Sequence, residues 1–321
     1  MRNYFRQALR YAIGMDNCAQ RKTMDKAMQK TVFRSVLYMP GAKERALEKA
    51  RTLQADALIF DLEDAVAPDE KPAARDLVCG AVATRGYGGR SMVIRINGLD
   101  TEWGMADLMA AAKAGPDAIL IPKVNEAVDV LRVEALLEEH NAPAHTRIWA
   151  MMETPLGILN AQEIAASTAR LQAFVMGTND LVNDLGAMHT PDRASVMTAL
   201  SLCLLAAKAY GLICVDGVYN AFKDDLGLQA VCEQARAMGF DGKTLIHPAQ
   251  LDITNAVFAP SADDLALARS YVTAFAAAQA RGEGVAVVKG KIVENLHVDG
   301  AEKLLGKAAA IAKLGKNNQG E

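Results

Sequence analysis

The sequence predicts an α/β fold, a (β/α)8 barrel carrying a C-terminal extension of hairpin and helix, and three observations predict it. Eight short apolar runs recur between residues 34 and 248, separated by helix-like stretches. Strands that alternate with helices form a parallel sheet, because a parallel neighbour needs a crossover connection. Many of the runs end in a charged residue, which a strand buried on both faces tolerates only for a reason. Finally, neither G-x-G-x-x-G nor G-x-x-x-x-G-K-[ST] follows the first run, which removes the usual signature of an open, doubly wound sheet.

The runs justify themselves in order. RSVLYMP (34–40) is the first strand, and Gly41 opens a helix through GAKERALEKARTL. ADALIFDLED (55–64) is the second and ends in Asp61, Glu63 and Asp64. SMVIRIN (91–97) carries Arg95 near its end, and AILIPKV (118–124) carries Lys123. The fifth, RIWAMMET, is apolar from Ile148 up to Glu153. Pro155 stops it, so it is a buried strand and not a helix. Thr154 and Pro155 look like the N-cap and first position of the next helix. AFVMGTNDL (173–181) ends at Asp180, LICVDGVYN (212–220) carries Asp216, and GKTLIHP (242–248) is the eighth. Asp216 before Gly217 fits a tight turn, and His247 before Pro248 fits a strand-end hydrogen bonder better than a ligand.

The ends of the chain differ from this core. Residues 1–31 form a basic extension with seven Lys or Arg against Asp16 and Asp25. They contain no apolar stretch of secretory type. This segment is read as packing on a neighbouring subunit, or as preceding a true start at Met24 or Met28. Residues 32–281 hold the barrel and a long trailing helix. Residues 282–321 are read as a lid and tail: Gly282, Gly284 and Gly290 suit a hinge, and KLGKNNQGE is expected to be an unstructured end.

Composition narrows the class. A chain of 321 residues that is 51% hydrophobic can bury a large core, and its net charge of −3 argues against nucleic acid as the main partner. No apolar run approaches the roughly 18–20 residues that span a bilayer. Five scattered cysteines without a C-x-x-C fit a reducing compartment and offer neither a disulfide framework nor a zinc site. The class reading is a cytoplasmic enzyme.

Placing the strand ends on one rim gathers Asp61, Glu63, Asp64, Arg95, Lys123, Glu153, Asp180 and Asp216. Carboxylates from the tips of the adjacent fifth and sixth strands, with water, make a hard oxygen site suited to Mg2+. The competing reading is a salt-bridge network in which Arg95 and Lys123 offset the acids. No G-x-S-x-G elbow marks an activated nucleophile. A lysine among acids keeps its charge, so Lys123 is a poor imine former. The pattern favours a metal-polarised carbonyl on which negative charge builds.

RSVLYMPG, FDLEDAVAPDEK, IRING, IPKV, MMETPLG, VMGTNDL, FDGKTLIHPAQ and GKIVENLHV together are highly specific. Over residues 33–312 the chain resembles the citrate lyase β-subunit-like group of the HpcH/HpaI aldolase superfamily. It is most similar to the malyl-CoA lyase and (3S)-malyl-CoA thioesterase branch. The resemblance implies a TIM barrel, a homotrimer or hexamer, Mg2+ (or Mn2+ in its place) and a coenzyme A thioester as substrate. It implies metal ligation by Glu153 and Asp180, metal-bound water held by Glu63 and Asp64, and a thioester or enolate oxygen bound by Arg95. It suggests coenzyme A phosphate contacts from Lys43 and Arg45. Where the lyases carry an Asp on a lid reaching a neighbouring subunit, this chain has Glu294, one methylene longer, which displaces a proton acceptor. The implied activity is hydrolysis of (3S)-malyl-CoA to malate and CoA. The alternatives are carbon–carbon cleavage to acetyl-CoA and glyoxylate, a citrate or citramalyl-CoA lyase activity, or a non-catalytic subunit of a larger lyase.

Overall fold

The computed structural model describes residues 32–319, so the basic extension 1–31 lies outside the described residues. Eight parallel strands close into a barrel in sequence order. They are β1 Ser35–Pro40, β2 Ala57–Asp61, β3 Ser91–Arg95, β4 Ala118–Ile121, β5 Arg147–Met152, β6 Leu171–Met176, β7 Ile213–Asp216 and β8 Gly242–Leu245. Each predicted strand is present. The ladders stop earlier than the apolar runs do: Leu62, Ile96 and Val124 stay buried in rim loops after pairing has ended.

Side-chain alternation decides which residues reach the mouth. Val36, Ile59, Val93, Leu120, Trp149, Met151 and Val175 fill the barrel interior. Two residues further along the same faces, Asp61, Arg95 and Glu153 follow Ile59, Val93 and Met151, so the period of two aims them into the C-terminal mouth. Register places Asp61 directly beside Arg95. The opposite strand faces pack on the surrounding helices in a second, larger apolar cluster that includes Phe60, Ile94, Ile148 and Phe174.

The helices are α1 Glu44–Ala50, α2 Lys71–Ala83, α3 Gly104–Ala114, α4 Ala127–Glu139, α5 Pro155–Leu159, α6 Ala161–Ala166, α7 Thr178–Asp184, α8 Met197–Ala209, α9 Asp225–Met238, α10 Leu251–Phe258, α11 Ala262–Ala280 and α12 Asn295–Gln319. Thr154 caps α5 as expected: its hydroxyl accepts from the Gly157 N–H at 3.0 Å, with Pro155 at the first turn.

The C-terminal segment departs from expectation. The hairpin exists, as β9 Ala286–Val288 paired with β10 Lys291–Val293, and Ala286 and Val293 bury against Phe275 and Ala278 of α11. Of the stretch expected to be an unstructured end, residues 313–319 are instead the last part of α12, which runs to Gln319. It has a surface to lie on. Phe33, Ile213 and Asp241, at the N-terminal ends of β1, β7 and β8, line one cavity with Lys303, Lys307 and Ala310 of α12. Further on, the Gly89 N–H donates to Asn318 Oδ1 at 3.2 Å. α12 therefore crosses the N-terminal mouth of its own barrel, and this docking orders a sequence too polar to signal a helix by itself.

Candidate active site

The loop after β2 is built on Asp61. This carboxylate is buried, and it forks onto Arg95, with Nε and Nη2 each donating at 2.6 Å. Its oxygens also accept the backbone N–H groups of Glu63 (2.9 Å) and Ala65 (3.1 Å), which turns the loop back over the mouth. Lys71 closes the turn from beneath, donating to the carbonyls of Leu62 and Glu63, both at 3.0 Å. Asp61 and Lys71 both hold this loop in place. The sequence placed Asp61 on the rim without a role and did not single out Lys71.

The loop presents Glu63 and Asp64 to Arg95 Nη1, at 2.7 and 3.2 Å. The Glu63 contact is an ion pair outside hydrogen-bonding geometry, because Oε2 has no hydrogen-bond partner. Burial pushes the Glu63 carboxyl up to about 7, against the opposing pull of Arg95, and Asp64 and Asp61 add to the rise. The Arg95 guanidinium lies 5.0 Å from the Tyr38 ring centroid, which leaves its position set from every side.

Glu153 closes the opposite wall. It is 0% exposed, its Oε1 accepts the Lys123 backbone N–H at 2.8 Å, and its Oε2 has no partner. Lys123 adopts φ +49 to aim that N–H, a left-handed conformation uncommon for a non-glycine residue. Gly177 lets the carboxylate lie against the end of β6, since a Cβ there would collide with Glu153 Oε2. Burial raises the Glu153 carboxyl to about 8. The Lys123 N–H opposes the rise, and the neighbouring Asp180 adds to it. Burial pulls the Lys123 ammonium down, but Glu63, Asp180 and Glu153 outweigh it, and the net shift is upward.

Asp180 sits in the first turn of α7, beside Glu153. Together with Asp61, Asp64, Arg95, Tyr38 and Thr178 it lines a cavity of about 460 Å³ over the barrel mouth. The unpartnered Glu153 oxygen, facing a second carboxylate, fits a hard divalent cation. Among the described residues no group of three or more His, Cys, Asp or Glu gathers at one point. The other positions around such an ion therefore fall to water and substrate oxygens.

The remaining predicted residues are placed as follows. Lys43 and Arg45 are exposed at the start of α1, at the end of the barrel that bears the cavity. Glu294 is not brought to the cavity of its own chain; it follows β10, and its backbone N–H donates to His297 Nδ1 at 3.1 Å. Asp216 does not hold a tight turn as expected: it is an ion-pair centre between Lys243 (2.7 Å) and Arg193. His247 is a strand-end hydrogen bonder, its Nδ1 accepting the Ala249 N–H at 3.1 Å while its ring stacks on Phe222.

Known proteins share this architecture. The profile of the HpcH/HpaI aldolase/citrate lyase family matches residues 34–248. A (3S)-malyl-CoA thioesterase of Cereibacter sphaeroides is 59% identical over 286 residues, 89% of this chain and 98% of that protein. Citrate lyase subunit beta of Escherichia coli is 36% identical over 280 residues, 86% of this chain and 93% of that one. Among solved structures, CitE from Mycobacterium tuberculosis in complex with magnesium, acetoacetate and coenzyme A superposes with a TM-score of 0.69. It shares 30% identity, over 87% of this chain and 99% of that one. With the barrel, the rim acids and these matches in agreement, the chain belongs to the HpcH/HpaI aldolase/citrate lyase family.

Proposed function

We propose that this protein is a Mg2+-dependent enzyme of coenzyme A esters that hydrolyses (3S)-malyl-CoA to malate and CoA. The observation that carries the reading is the buried, unpartnered Glu153 oxygen beside Asp180, a residue that shares its cavity with the fixed Arg95 guanidinium. Near-full-length similarity to proteins named (3S)-malyl-CoA thioesterase supports the choice of substrate. Structures of CitE holding magnesium and coenzyme A support the cofactor and the thioester class.

Glu153 and Asp180 would hold the ion, which supplies Lewis-acid polarisation of the thioester carbonyl. Arg95, locked by Asp61, keeps Nη1 toward the cavity to donate to the oxygen on which charge builds. Glu63, with its carboxyl near 7, takes a proton from the attacking water and returns it to the departing sulfur as the carbon–sulfur bond breaks. Asp64, whose side chain is mostly exposed, orients that water. Lys43 and Arg45 offer exposed cations for coenzyme A phosphates.

The lyase reading draws support from the similarity to citrate lyase subunit beta. In that reading Glu294 takes the 3-hydroxyl proton in a neighbouring subunit of a homotrimer or hexamer, since it does not line its own cavity. No described helix is long and apolar enough to cross a membrane. We place the protein in the cytoplasm, in keeping with its free thiols at Cys79, Cys203, Cys214 and Cys232.

The deciding experiment incubates purified protein with (3S)-malyl-CoA, with and without Mg2+, and follows free thiol and glyoxylate. Mg2+-dependent thiol release without glyoxylate is expected. Glyoxylate in step with acetyl-CoA would make it a lyase, and no turnover of either kind would overturn the enzyme reading.

A further inference from the structure

A buried lysine and a largely buried arginine share one carboxylate behind the loops that follow β6 and β7. Asp216 and Lys243 are register partners on β7 and β8, 0% and 1% exposed, joined at 2.7 Å. That pair alone would be neutral. Arg193, from the loop before α8, adds a fork onto the same carboxylate, with Nη1 at 2.7 Å and Nη2 at 3.0 Å. Among the described residues Arg193 and Lys243 form no other ion pair. The cluster therefore keeps one positive charge in excess on side chains that are wholly or largely withdrawn from water, which is costly without a counter-charge. Arg193 Nε has no hydrogen-bond partner, and each Nη carries a second N–H that Asp216 does not take. The residue holds φ +58 to place its side chain there, a conformation a non-glycine residue adopts at a cost.

These cations border a cavity of about 290 Å³, walled mainly by apolar side chains such as Val182, Val196 and Val231. Thr178, Asn179 and Val218 line both this cavity and the catalytic one, so the two are neighbours across a single wall. A cavity with apolar walls that is bordered by a surplus of cationic side chains selects a small organic anion with a carboxylate end.

We propose that this cavity is a second subsite, taking a small carboxylate beside the catalytic cavity and using the surplus charge of Arg193 and Lys243. The proposal rests on the proposed function only in naming malate as the acid. The carboxylate arrives either as the free end of the bound ester or as the released acid.

The test separates the subsite from the metal site by leaving the metal out. The full-length protein in EDTA is titrated with L-malate and followed by calorimetry. Saturable binding is expected. It should weaken at least about 10-fold in Arg193→Gln, on the scale of one lost charge-assisted bond, and stay unchanged in Glu153→Gln. Arg193→Lys keeps the charge without the fork and should bind between the two, which carries the test if Arg193→Gln fails to fold. No saturable binding, equal binding by Arg193→Gln or Arg193→Lys and wild type, or equal loss in Glu153→Gln would overturn the subsite. In the Mg2+ assay, a raised KM for malyl-CoA in Arg193→Gln assigns the site to the ester's carboxylate. Relief of malate inhibition at constant KM assigns it to the released acid. If malyl-CoA is not turned over at all, the proposed reaction falls while the EDTA titration still decides the subsite.

Discussion

Glu153 at the end of β5 and Asp216 at the end of β7 are both wholly buried carboxylates, yet they titrate in opposite directions. Burial pushes Glu153 up to about 8, and its acid neighbour Asp180 adds to the rise. For Asp216 burial acts the same way, but Lys243 and Arg193 outweigh it and hold the carboxyl below its usual range. Depth is the same and partners differ, so partners decide. One site is short of a cation and the other has a cation to spare.

Neutralising each acid without changing its size should therefore have opposite consequences. Glu153→Gln and Asp180→Asn should abolish Mg2+-dependent turnover, a loss of at least about 10³-fold in kcat/KM. Glu153→Gln should nonetheless stay folded by circular dichroism, since no buried cation depends on it. Wild-type-like turnover in either would remove the metal assignment. Asp216→Asn strands the buried Lys243 and the largely buried Arg193 and should cost about 3–5 kcal/mol in urea unfolding. A loss below about 1 kcal/mol would mean the cluster already has another counter-charge.

Arg95→Lys keeps the charge but loses the fork onto Asp61 and should cost about 10²-fold in rate. A variant within a few-fold of wild type would make Arg95 structural. A further effect is in pH. In EDTA the folded state holds the Glu153 proton up to about 8, whereas the unfolded group releases it near 4.5, so stability should fall as pH rises through that window. Asp216 contributes stability above the ordinary carboxylate range and loses it as pH falls through its depressed value. Urea midpoints against pH should show Glu153→Gln flattening only the upper limb and Asp216→Asn only the lower. Flattening of both limbs by one variant would mean the two acids are coupled.

The strands were legible because parallel strands buried on both faces leave apolar runs that few other structures produce. Glu153 stood out for the same reason, as a carboxylate closing such a run. Lys71 and Arg193 did not, because a lysine in a helix start or an arginine in a loop is ordinary until burial is known. Lys243 sat in plain view within GKTLIHP, but its pairing with Asp216 depends on β7–β8 register, which no local pattern encodes. The left-handed turn at Lys123 was equally hidden, since the amide it aims at Glu153 comes from the backbone. The last turns of α12 leave no helix signal in the sequence because their stability comes from the barrel underside and not from propensity.

That underside has a practical meaning for handling the molecule. Val32, where the described chain begins, and Ala310 of α12 border the same cavities at the N-terminal mouth, while substrate would enter from the other end. A dye or surface linker on Lys313 of α12 would sit a full barrel length from the chemistry. Molecules immobilised through it would stand with their catalytic mouths facing the solvent.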